Sequence, residues 1–431
     1  MEKETINNVE GYQLSINQMN LWSVAEKNIQ NYFNQVVIDL KSDVTIEKLK
    51  RGLALVISKN ETLLFKMNEA PNVGFPVQAV SELKQTEIVE RTVQALDQFT
   101  ITATVQESLG YGYDPLKDSA IRFCLLKDSQ GNQVLAVRLF SLWADSYSTA
   151  FLCSELSKAI FDETSYEKEE REVVEYQDFS AWQQQLFSDP EEEGVNFWKN
   201  YPTDLTKDIV PFKNRNNQTF SPQRKSICLI DGDAYTKLKA KMAQEDSSAE
   251  HLLLSQFAAY LSKFDEDSFT IGYLPFKRYY NELENTFGLV AKTLPVGLNE
   301  FASLSEKEAI AFIKKTVAEI GMWSDYFYVN RIHDKEVTEA TTFNYVFEYA
   351  ELNDNYSSDT LKIRDLFSVT DVFEVKVNAV DYGDSLAIDL YYDTALYSDA
   401  AAALMASQLK AFFANQNDVL AGQAIIEASN D

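Results

Sequence analysis

The chain is poor in the residues that most often carry enzyme chemistry or cross-links. Among 431 residues there are only 2 His and 3 Cys, and the cysteines are scattered at Cys124, Cys153 and Cys228. Three widely separated thiols are too few for a disulfide framework or a metal site. The sequence therefore predicts a fold without disulfide bonds and without a bound metal ion.

Basic side chains are also scarce. The chain has 39 Lys and Arg against 66 Asp and Glu, which gives a formal charge of -27. Nucleic-acid phosphates bind to clustered Lys and Arg, so this composition excludes a nucleic-acid partner. The most acidic stretches, 163–172 and 189–193, are typical of solvated surfaces or linkers.

Long apolar runs are absent as well. No stretch approaches the roughly 18 apolar residues of a membrane span, and the N-terminal residues MEKETINNVEGYQ lack the basic and apolar regions of a signal peptide. We therefore expect a soluble, cytoplasmic protein with no membrane partner. An apolar content of 45% indicates a folded globular chain, and at about 150 residues per domain its length predicts two or three domains.

Predicted strands and helices alternate along the chain, which favours an α/β architecture. The predicted strands are 32–40, 120–126, 134–140, 225–230, 268–273, 342–349, 372–380 and 386–392. The predicted helices are 44–58, 148–161, 176–187, 233–243, 247–264, 305–320 and 398–413, with another beginning at 194–198. The acidic segment 163–175 indicates a boundary, which gives domains 1–175 and 176–431. The two halves have similar element content, so we expect two lobes around a shared cleft.

Five short segments combine aromatic, Asp, Gln and Pro residues at spacings typical of one family. They are Leu14-Ser15-x-x-Gln18-x-x-Leu21-Trp22, Tyr176-x-Asp178-Phe179-x-x-Trp182-Gln183, Ile271-Gly272-Tyr273-Leu274-Pro275 with Arg278, Phe287-Gly288 with Thr293-Leu294-Pro295, and Leu390-Tyr391-Tyr392-Asp393-Thr394-Ala395-Leu396-Tyr397. In order and spacing they resemble the motifs of the condensation domains of nonribosomal peptide synthetases. The resemblance extends from about residue 12 to residue 413.

This resemblance implies a fold, a reaction and partners. The fold is a pair of chloramphenicol-acetyltransferase-like α/β lobes that form a V-shaped pseudo-dimer with a central tunnel, in a monomer with an internal pseudo-two-fold axis. Peptidyl or acyl carrier proteins bring pantetheine thioesters to this tunnel, where an acceptor amine attacks the donor thioester. The resemblance implies no cofactor bound by the protein itself, because the substrates arrive on carrier-protein phosphopantetheine.

The sequence departs from the family at the catalytic motif H-H-x-x-x-D-G. The corresponding segment here, called the 140–146 segment below, reads Phe140-Ser141-Leu142-Trp143-Ala144-Asp145-Ser146. Phe140 and Ser141 stand at the two His positions, Ser146 stands at the Gly position, and only Asp145 is retained. The resemblance implies a structural role for Asp145 in a pair with Arg278, and Asp145 could also cap the following helix.

The substitution removes the group that the family uses for acid–base chemistry. A histidine can exchange a proton near neutral pH, whereas a serine hydroxyl such as Ser141 needs a base of its own. The two histidines of the chain lie outside the motif. We expect His251 to be structural and His333 to be exposed.

Further residues are expected to line the tunnel or to contact substrate. The expected tunnel-lining residues are Phe140, Trp143, Ser146, Ser148 and Arg278. Phe140 and Trp143 would add bulk near the tunnel centre and could plug it. Lys277 replaces the Gly before Arg278 and Lys292 replaces the Asn before Thr293. These two lysines could contact a pantetheine phosphate or an acidic substrate, or they could be solvated.

Three hypotheses follow. The first is a catalytically silent module that docks a carrier protein or recruits a tailoring enzyme, as the P450-recruiting domains of glycopeptide synthetases do. The second is a divergent acyl or aminoacyl transferase that relies on positioning, because loss of a general base costs about 10²–10⁴-fold in rate; Ser141 would then orient the amine. The third is a cyclising domain, since Asp145 and Ser148 match part of D-x-x-x-x-D-x-x-S. Phe140 departs from that motif, and Ser148 could instead be a helix N-cap.

Overall fold

The structure, a computed structural model, describes residues 4–6, 9–26, 28–70, 75–81, 87–110, 112–202, 209–210, 220–265, 268–327, 342–352, 356 and 361–414. The strands are β1 (Glu4–Ile6), β2 (Val9–Gly11), β3 (Phe33–Leu40), β4 (Phe65–Asn68), β5 (Val77–Val80), β6 (Ile88–Thr92), β7 (Ile121–Lys127), β8 (Gln133–Phe140), β9 (Pro222–Asp231), β10 (Ser268–Pro275), β11 (Leu294–Asn299), β12 (Tyr345–Glu351), β13 (Leu361–Ser368), β14 (Val375–Asp381) and β15 (Ser385–Asp393). The helices are α1 (Ile16–Ala25), α2 (Ile46–Ser58), α3 (Gln98–Leu109), α4 (Ser146–Phe161), α5 (Glu163–Lys168), α6 (Tyr176–Ser188), α7 (Glu192–Asn200), α8 (Gly232–Gln244), α9 (Ala249–Leu261), α10 (Glu306–Met322) and α11 (Asp399–Ala414). His333 lies outside the described residues.

The chain divides into two compact units. The first unit comprises Met1–Asp189, Lys277–Ala291 and Leu352–Thr370, and the second comprises Pro190–Phe276, Lys292–Glu351 and Asp371–Asp431. This division differs from the predicted single boundary after residue 175. Helix α6 belongs to the first unit, and two later segments of the chain return to it.

The first unit is built on a five-stranded sheet in the order β13-β3-β8-β7-β6. Its neighbouring strands are antiparallel except for the parallel pair β6 and β7. Every residue of the central strand β8 is buried, which is typical of a strand that is covered on both faces. Helix α3 packs on one face, where Ile101 and Val105 contact a core that includes Val37, Cys124 and Ala136.

The second unit is built on a six-stranded sheet in the order β11-β10-β12-β14-β15-β9. The pairs β10–β12 and β12–β14 are parallel and the remaining pairs are antiparallel. Helix α9 lies on the face to which Tyr273 points, because the Tyr273 hydroxyl donates a 2.6 Å hydrogen bond to Glu250 of that helix. Successive residues of a strand point to opposite faces, so the side chains next to Tyr273 in β10 point to the other face of the sheet.

The mixed α/β architecture that the sequence predicts is confirmed. The predicted strands 120–126 and 134–140 are present as the antiparallel pair β7 and β8, and the predicted strands 372–380 and 386–392 are present as the antiparallel pair β14 and β15. Helix α10 starts with a capping box of Ser305 and Glu308, at the start of the predicted helix 305–320. Several described elements have no counterpart among the predicted ones: the strands β1, β2, β4, β5, β6, β11 and β13 and the helices α1, α3 and α5. Among the described residues, no helix is long and apolar enough to cross a membrane.

Candidate functional site

The 140–146 segment joins β8 to α4 in the interior of the first unit. Asp145 is the N-cap of α4, and its Oδ1 accepts a 2.8 Å hydrogen bond from the backbone N–H of Ser148. An Asp at this position satisfies an N–H group that the first helical turn leaves free. The prediction that Asp145 caps this helix is confirmed. The alternative N-cap role for Ser148 is wrong, because Ser148 is the third residue of the helix.

Asp145 and Arg278 form a buried ion pair. Arg278 Nη1 donates to Asp145 Oδ2 at 2.6 Å, and Arg278 Nη2 donates to Oδ1 at 3.1 Å. Both side chains are 0% exposed. The two parallel bonds are the geometry in which a guanidinium binds a carboxylate most strongly. The predicted pair is therefore present, and each charge has its partner within the first unit.

Backbone groups complete the carboxylate's surroundings. Asp145 Oδ2 also accepts hydrogen bonds from the N–H groups of Val290 at 3.1 Å and Ala291 at 2.8 Å. Burial by itself would raise the pKa of Asp145, but the Arg278 charge and these hydrogen bonds outweigh burial and hold the pKa below its ordinary value. Asp145 is consequently an ionised structural anchor, which makes it unsuited to accept a proton near neutral pH.

Ser148 links the same pair to Gly288. Its Oγ accepts from Arg278 Nη2 at 2.9 Å and from the Gly288 N–H at 3.1 Å, and it donates to the Gly288 carbonyl oxygen at 2.9 Å. A Cβ atom at position 288 would lie 2.0 Å from Cδ2 of Tyr176. The close approach of this backbone therefore requires glycine. Ser148 thus has all its hydrogen bonds satisfied by the frame.

Ser141 is completely enclosed, with 0% exposure. Its Oγ donates to the Val369 carbonyl oxygen at 2.7 Å and accepts from Asn34 Nδ2 at 3.1 Å. No titratable group is among the hydrogen-bond partners of this hydroxyl in the described chain. A serine nucleophile needs an adjacent base, so the geometry around Ser141 is that of a buried structural hydroxyl.

Phe140 and Trp143 pack into the interior of the first unit around one tyrosine. The Phe140 ring stacks on Tyr113 with 3.4 Å between ring centroids. Trp143 Nε1 donates a 2.8 Å hydrogen bond to the Tyr113 hydroxyl, and the indole meets the Phe65 ring edge-on at 5.8 Å. Phe140 and Trp143 are both at most 1% exposed. Their expected position in a tunnel stays a prediction; what the structure shows is aromatic core packing.

Two other motifs hold the 140–146 segment in place. Gln18 Nε2 donates to the Leu142 carbonyl oxygen at 2.8 Å, and Gln18 also forms the capping box that starts α1 with Ser15. The Tyr176 hydroxyl lies 2.8 Å from Ser15 Oγ and donates to the Leu289 carbonyl oxygen at 3.0 Å. Residues of the motifs that begin at Leu14, Tyr176 and Phe287 therefore lie around the 140–146 segment and the start of α4.

A family model matches nearly the whole chain, in agreement with the motifs found in the sequence. The condensation-domain family model matches residues 8–418 of the chain. The chain belongs to the condensation-domain family. Bacitracin synthase 2 of Bacillus licheniformis is 22% identical over 384 residues, which is 85% of this condensation domain and 14% of that synthase. Eight curated relatives are all much longer, and the domain spans only 2% to 14% of them.

Solved condensation-type structures share the fold of this domain. The condensation domain of the monacolin K polyketide synthase MokA superposes with a TM-score of 0.77 at 14% identity, covering 95% of this chain and 98% of that one. The X-domain in complex with OxyB from teicoplanin biosynthesis gives a TM-score of 0.72 at 16% identity, covering 96% and 95%. These comparisons confirm the predicted condensation-domain fold.

The two candidate phosphate-contacting lysines of this condensation domain have different surroundings. Lys277 is exposed, and its Nζ lies 5.1 Å from the centroid of the Tyr279 ring. Lys292 belongs to the second unit. Burial lowers the pKa of Lys292, and the charge of Asp325 partly offsets that effect. Their predicted contacts with a phosphate or an acidic substrate stay predictions.

Sequence reasoning missed a buried charged cluster in the second unit of the condensation domain. Lys376 Nζ lies 2.5 Å from Glu348 Oε2, and both side chains are 1% exposed. Asp371 accepts a hydrogen bond from the Thr293 hydroxyl. Burial raises the pKa of Asp371, although Thr293 and the Lys376 charge oppose it. The available signal was a charged residue with apolar or aromatic neighbours on both sides within a strand run, at Glu348 and at Lys376.

Proposed function

We propose that this condensation domain engages carrier-protein-bound pantetheine thioesters in nonribosomal peptide biosynthesis as a docking or recruitment domain. It binds no cofactor of its own, because the thioester arrives on the phosphopantetheine of the carrier protein. The observation that carries the proposal is the state of Ser141. This residue stands where the family has its second histidine, yet it is fully buried and bonded to Val369 and Asn34.

The motif retains its aspartate but has lost both of its histidines. The Asp145–Arg278 pair and the hydrogen bonds around it preserve the frame of the motif. No histidine or other base bonds to Ser141 within the described residues, so the segment has no group that exchanges protons near pH 7. The structural Asp145–Arg278 pair is retained while the catalytic histidine is absent. This combination supports a role in binding.

A tailoring enzyme is the second partner that we propose. The X-domain that shares this fold was solved in complex with OxyB from teicoplanin biosynthesis. This relative shows a condensation-type fold bound to a separate protein. By analogy, the present domain would hold a carrier-bound intermediate while a recruited enzyme modifies it.

The test uses donor and acceptor carrier proteins of the same pathway, loaded with their thioesters and analysed by intact-mass spectrometry. We expect no transfer from donor to acceptor beyond the rate without the domain, together with saturable binding of a loaded carrier protein. The Ser141→Ala variant is the matched control and should bind carriers as the wild type does. Transfer that depends on the domain would contradict a silent role, and absence of all carrier binding would contradict docking.

The alternative function is amide formation by a divergent acyl or aminoacyl transferase. Thioesters are activated acyl donors, and positioning of a neutral amine supplies much of the rate of such reactions. The intact Asp145–Arg278 pair supports this alternative, because a domain that keeps this pair could still bind and position its substrates. Under it, Ser141→Ala would slow a transfer that the wild type catalyses. A cyclised product would instead support the cyclising hypothesis, for which Phe140 lacks the carboxylate.

A further inference from the structure

Two buried arginines face each other on the sheet of the first unit. Arg122 on β7 and Arg138 on β8 are directly opposite in register, and they are 9% and 3% exposed. Like charges directly opposite each other on neighbouring strands destabilise a sheet. Burial of a charge without a counter-charge adds to that cost. The pair therefore needs an explanation beyond packing.

The charge of Arg122 is compensated by the protein itself. Its Nη1 donates to the Leu109 carbonyl oxygen at 3.1 Å, and its Nη2 donates to the Gly112 carbonyl oxygen at 3.0 Å and to Asp118 Oδ2 at 3.2 Å. Leu109 is the last residue of α3, where the helix dipole favours a cation. Arg122 thus serves as a C-terminal cap for α3.

The charge of Arg138 has no such counter-charge. Its Nε and Nη2 donate to Gln35 Oε1 at 3.2 and 2.8 Å, and Nη2 also donates to Gln106 Oε1 at 3.1 Å. The guanidinium carbon lies 3.9 Å from the centroid of the Phe33 ring. No carboxylate bonds to Arg138 within the described part of the chain. This is notable in a protein with 66 acidic residues and a net charge of -27.

The guanidinium of Arg138 lies close to the surface rather than deep in the core. Gln106 on α3 is exposed, and Gln35 and Phe33 are partly exposed. The guanidinium therefore bonds directly to a side chain that reaches solvent. Burial and the neighbouring Arg122 charge lower the pKa of Arg138 to about 9, which still leaves the group positively charged at neutral pH.

We propose that Arg138, together with Gln35 and Gln106, forms a binding site for a small oxyanion of the phosphate type. A guanidinium is weakly hydrated and offers planar, paired donors that match phosphate oxygens. Rotation of the Gln106 side chain away from Arg138 would free one N–H of Nη2 for the anion, while Nη2 keeps its bond to Gln35. The side-chain N–H groups of Gln35 could then donate to a remaining oxygen of the anion. The site is separate from the Asp145 network and does not depend on the proposed docking function.

The first test measures thermal unfolding of the whole chain in inorganic phosphate and in chloride at matched ionic strength. Phosphate should raise the unfolding temperature of the wild type by preferential binding to the folded state. Arg138→Gln should weaken phosphate binding by roughly tenfold or more, because it removes a charged hydrogen-bond donor. Arg91→Gln on the exposed surface of β6 removes the same charge and should bind phosphate as the wild type does.

A second variant keeps the proposal testable if Arg138→Gln fails to fold. Gln106→Glu places a carboxylate beside Arg138 on an exposed helix position, so it should raise stability in chloride and abolish the phosphate effect. Ala103→Glu, also exposed on α3, introduces the same charge and should leave the phosphate effect intact. An equal response to phosphate in Gln106→Glu and wild type, or no response in the wild type at millimolar phosphate, would overturn the proposal.

A comparison of phosphopantetheine with pantetheine shows whether the oxyanion is a phosphate ester or free phosphate. Phosphopantetheine that binds more tightly than pantetheine, with the difference lost in Arg138→Gln, would identify a phosphate ester as the natural ligand. If inorganic phosphate binds at Arg138 and phosphopantetheine does not, the ligand is free phosphate. If sodium acetate competes as well as phosphate does, the site is a general carboxylate site and the phosphate assignment is wrong.

Discussion

Arg278 binds Asp145 through two parallel hydrogen bonds of 2.6 and 3.1 Å, across 133 residues of sequence and out of contact with solvent. The same arginine bonds to Ser148, and the same carboxylate accepts from Val290 and Ala291. This pair joins the segment 277–291 to the start of α4.

Removal of one partner should destabilise the domain strongly. Arg278→Met leaves the Asp145 carboxylate buried without its counter-charge, and such a loss costs about 3–5 kcal/mol. The free energy of unfolding in urea measures it. Arg364→Met is the matched control, because its ion pair with Asp39 is 31% and 39% exposed and is expected to contribute at most about 1 kcal/mol. Equal costs for the two variants would contradict the role assigned to Arg278.

The Asp145–Arg278 pair predicts that the domain loses stability at low pH. The folded-state pKa of Asp145 is held below its ordinary value of 3.8, so the unfolded chain binds the proton first as the pH falls. The stabilisation is complete above pH 3.8 and is lost progressively as the pH drops through the folded-state pKa. Urea titrations over this range measure the loss. The Asp145→Asn variant should be less stable than the wild type at neutral pH, and its free energy of unfolding should fall less steeply as the pH drops. An equal fall in the variant and the wild type would contradict the prediction.

Gly288→Ala should destabilise the domain through a steric clash. A Cβ atom there would lie 2.0 Å from the Tyr176 ring, which would displace Tyr176 from Ser15 and Leu289. Overpacking of this kind costs about 1–3 kcal/mol. Gly112→Ala, where no atom lies within 4 Å of the new Cβ, is the control and should be close to neutral. The shift in thermal midpoint of each variant provides the comparison.

The buried pair in the second unit should be strongly coupled. Lys376→Met removes the buried ammonium group beside Glu348, and Glu348→Gln removes the buried carboxylate beside Lys376. Each single change should cost about 3–5 kcal/mol, whereas the double variant should cost less than the sum. A double-mutant cycle of unfolding free energies gives the coupling. Additive effects would mean that the two side chains do not depend on each other.

Much of the site was predictable because its signals are local. The 140–146 segment is recognised from the strand before it and the helix after it, and Asp145 caps that helix as an Asp in this position should. The pairing of Asp145 with Arg278 followed from the family resemblance. The state of Ser141 was not predictable, because its bond to Val369 depends on a residue 228 positions away.

The charged groups were predictable as residue types but not as neighbours. Glu348 and Lys376 each stand in an apolar strand run, and Arg122 and Arg138 do so as well. A charged residue between apolar neighbours in a buried strand indicates that the charge has a partner, but the sequence does not show which residue that partner is. The partner depends on which strands pair and in what register, because a shift by one residue would turn each side chain to the other face.

The sequence by itself determined the family, the α/β class, most helix and strand positions, the helix caps and the loss of both motif histidines. These features depend on residues a few positions apart, whose spacing and capping energies act within one element. Only the tertiary structure decided that β13 pairs with β3, that Ser141 bonds to Val369 and that Arg138 lies opposite Arg122 without a carboxylate. Those contacts join distant parts of the chain, and strand pairing and burial select them only when the whole unit is folded.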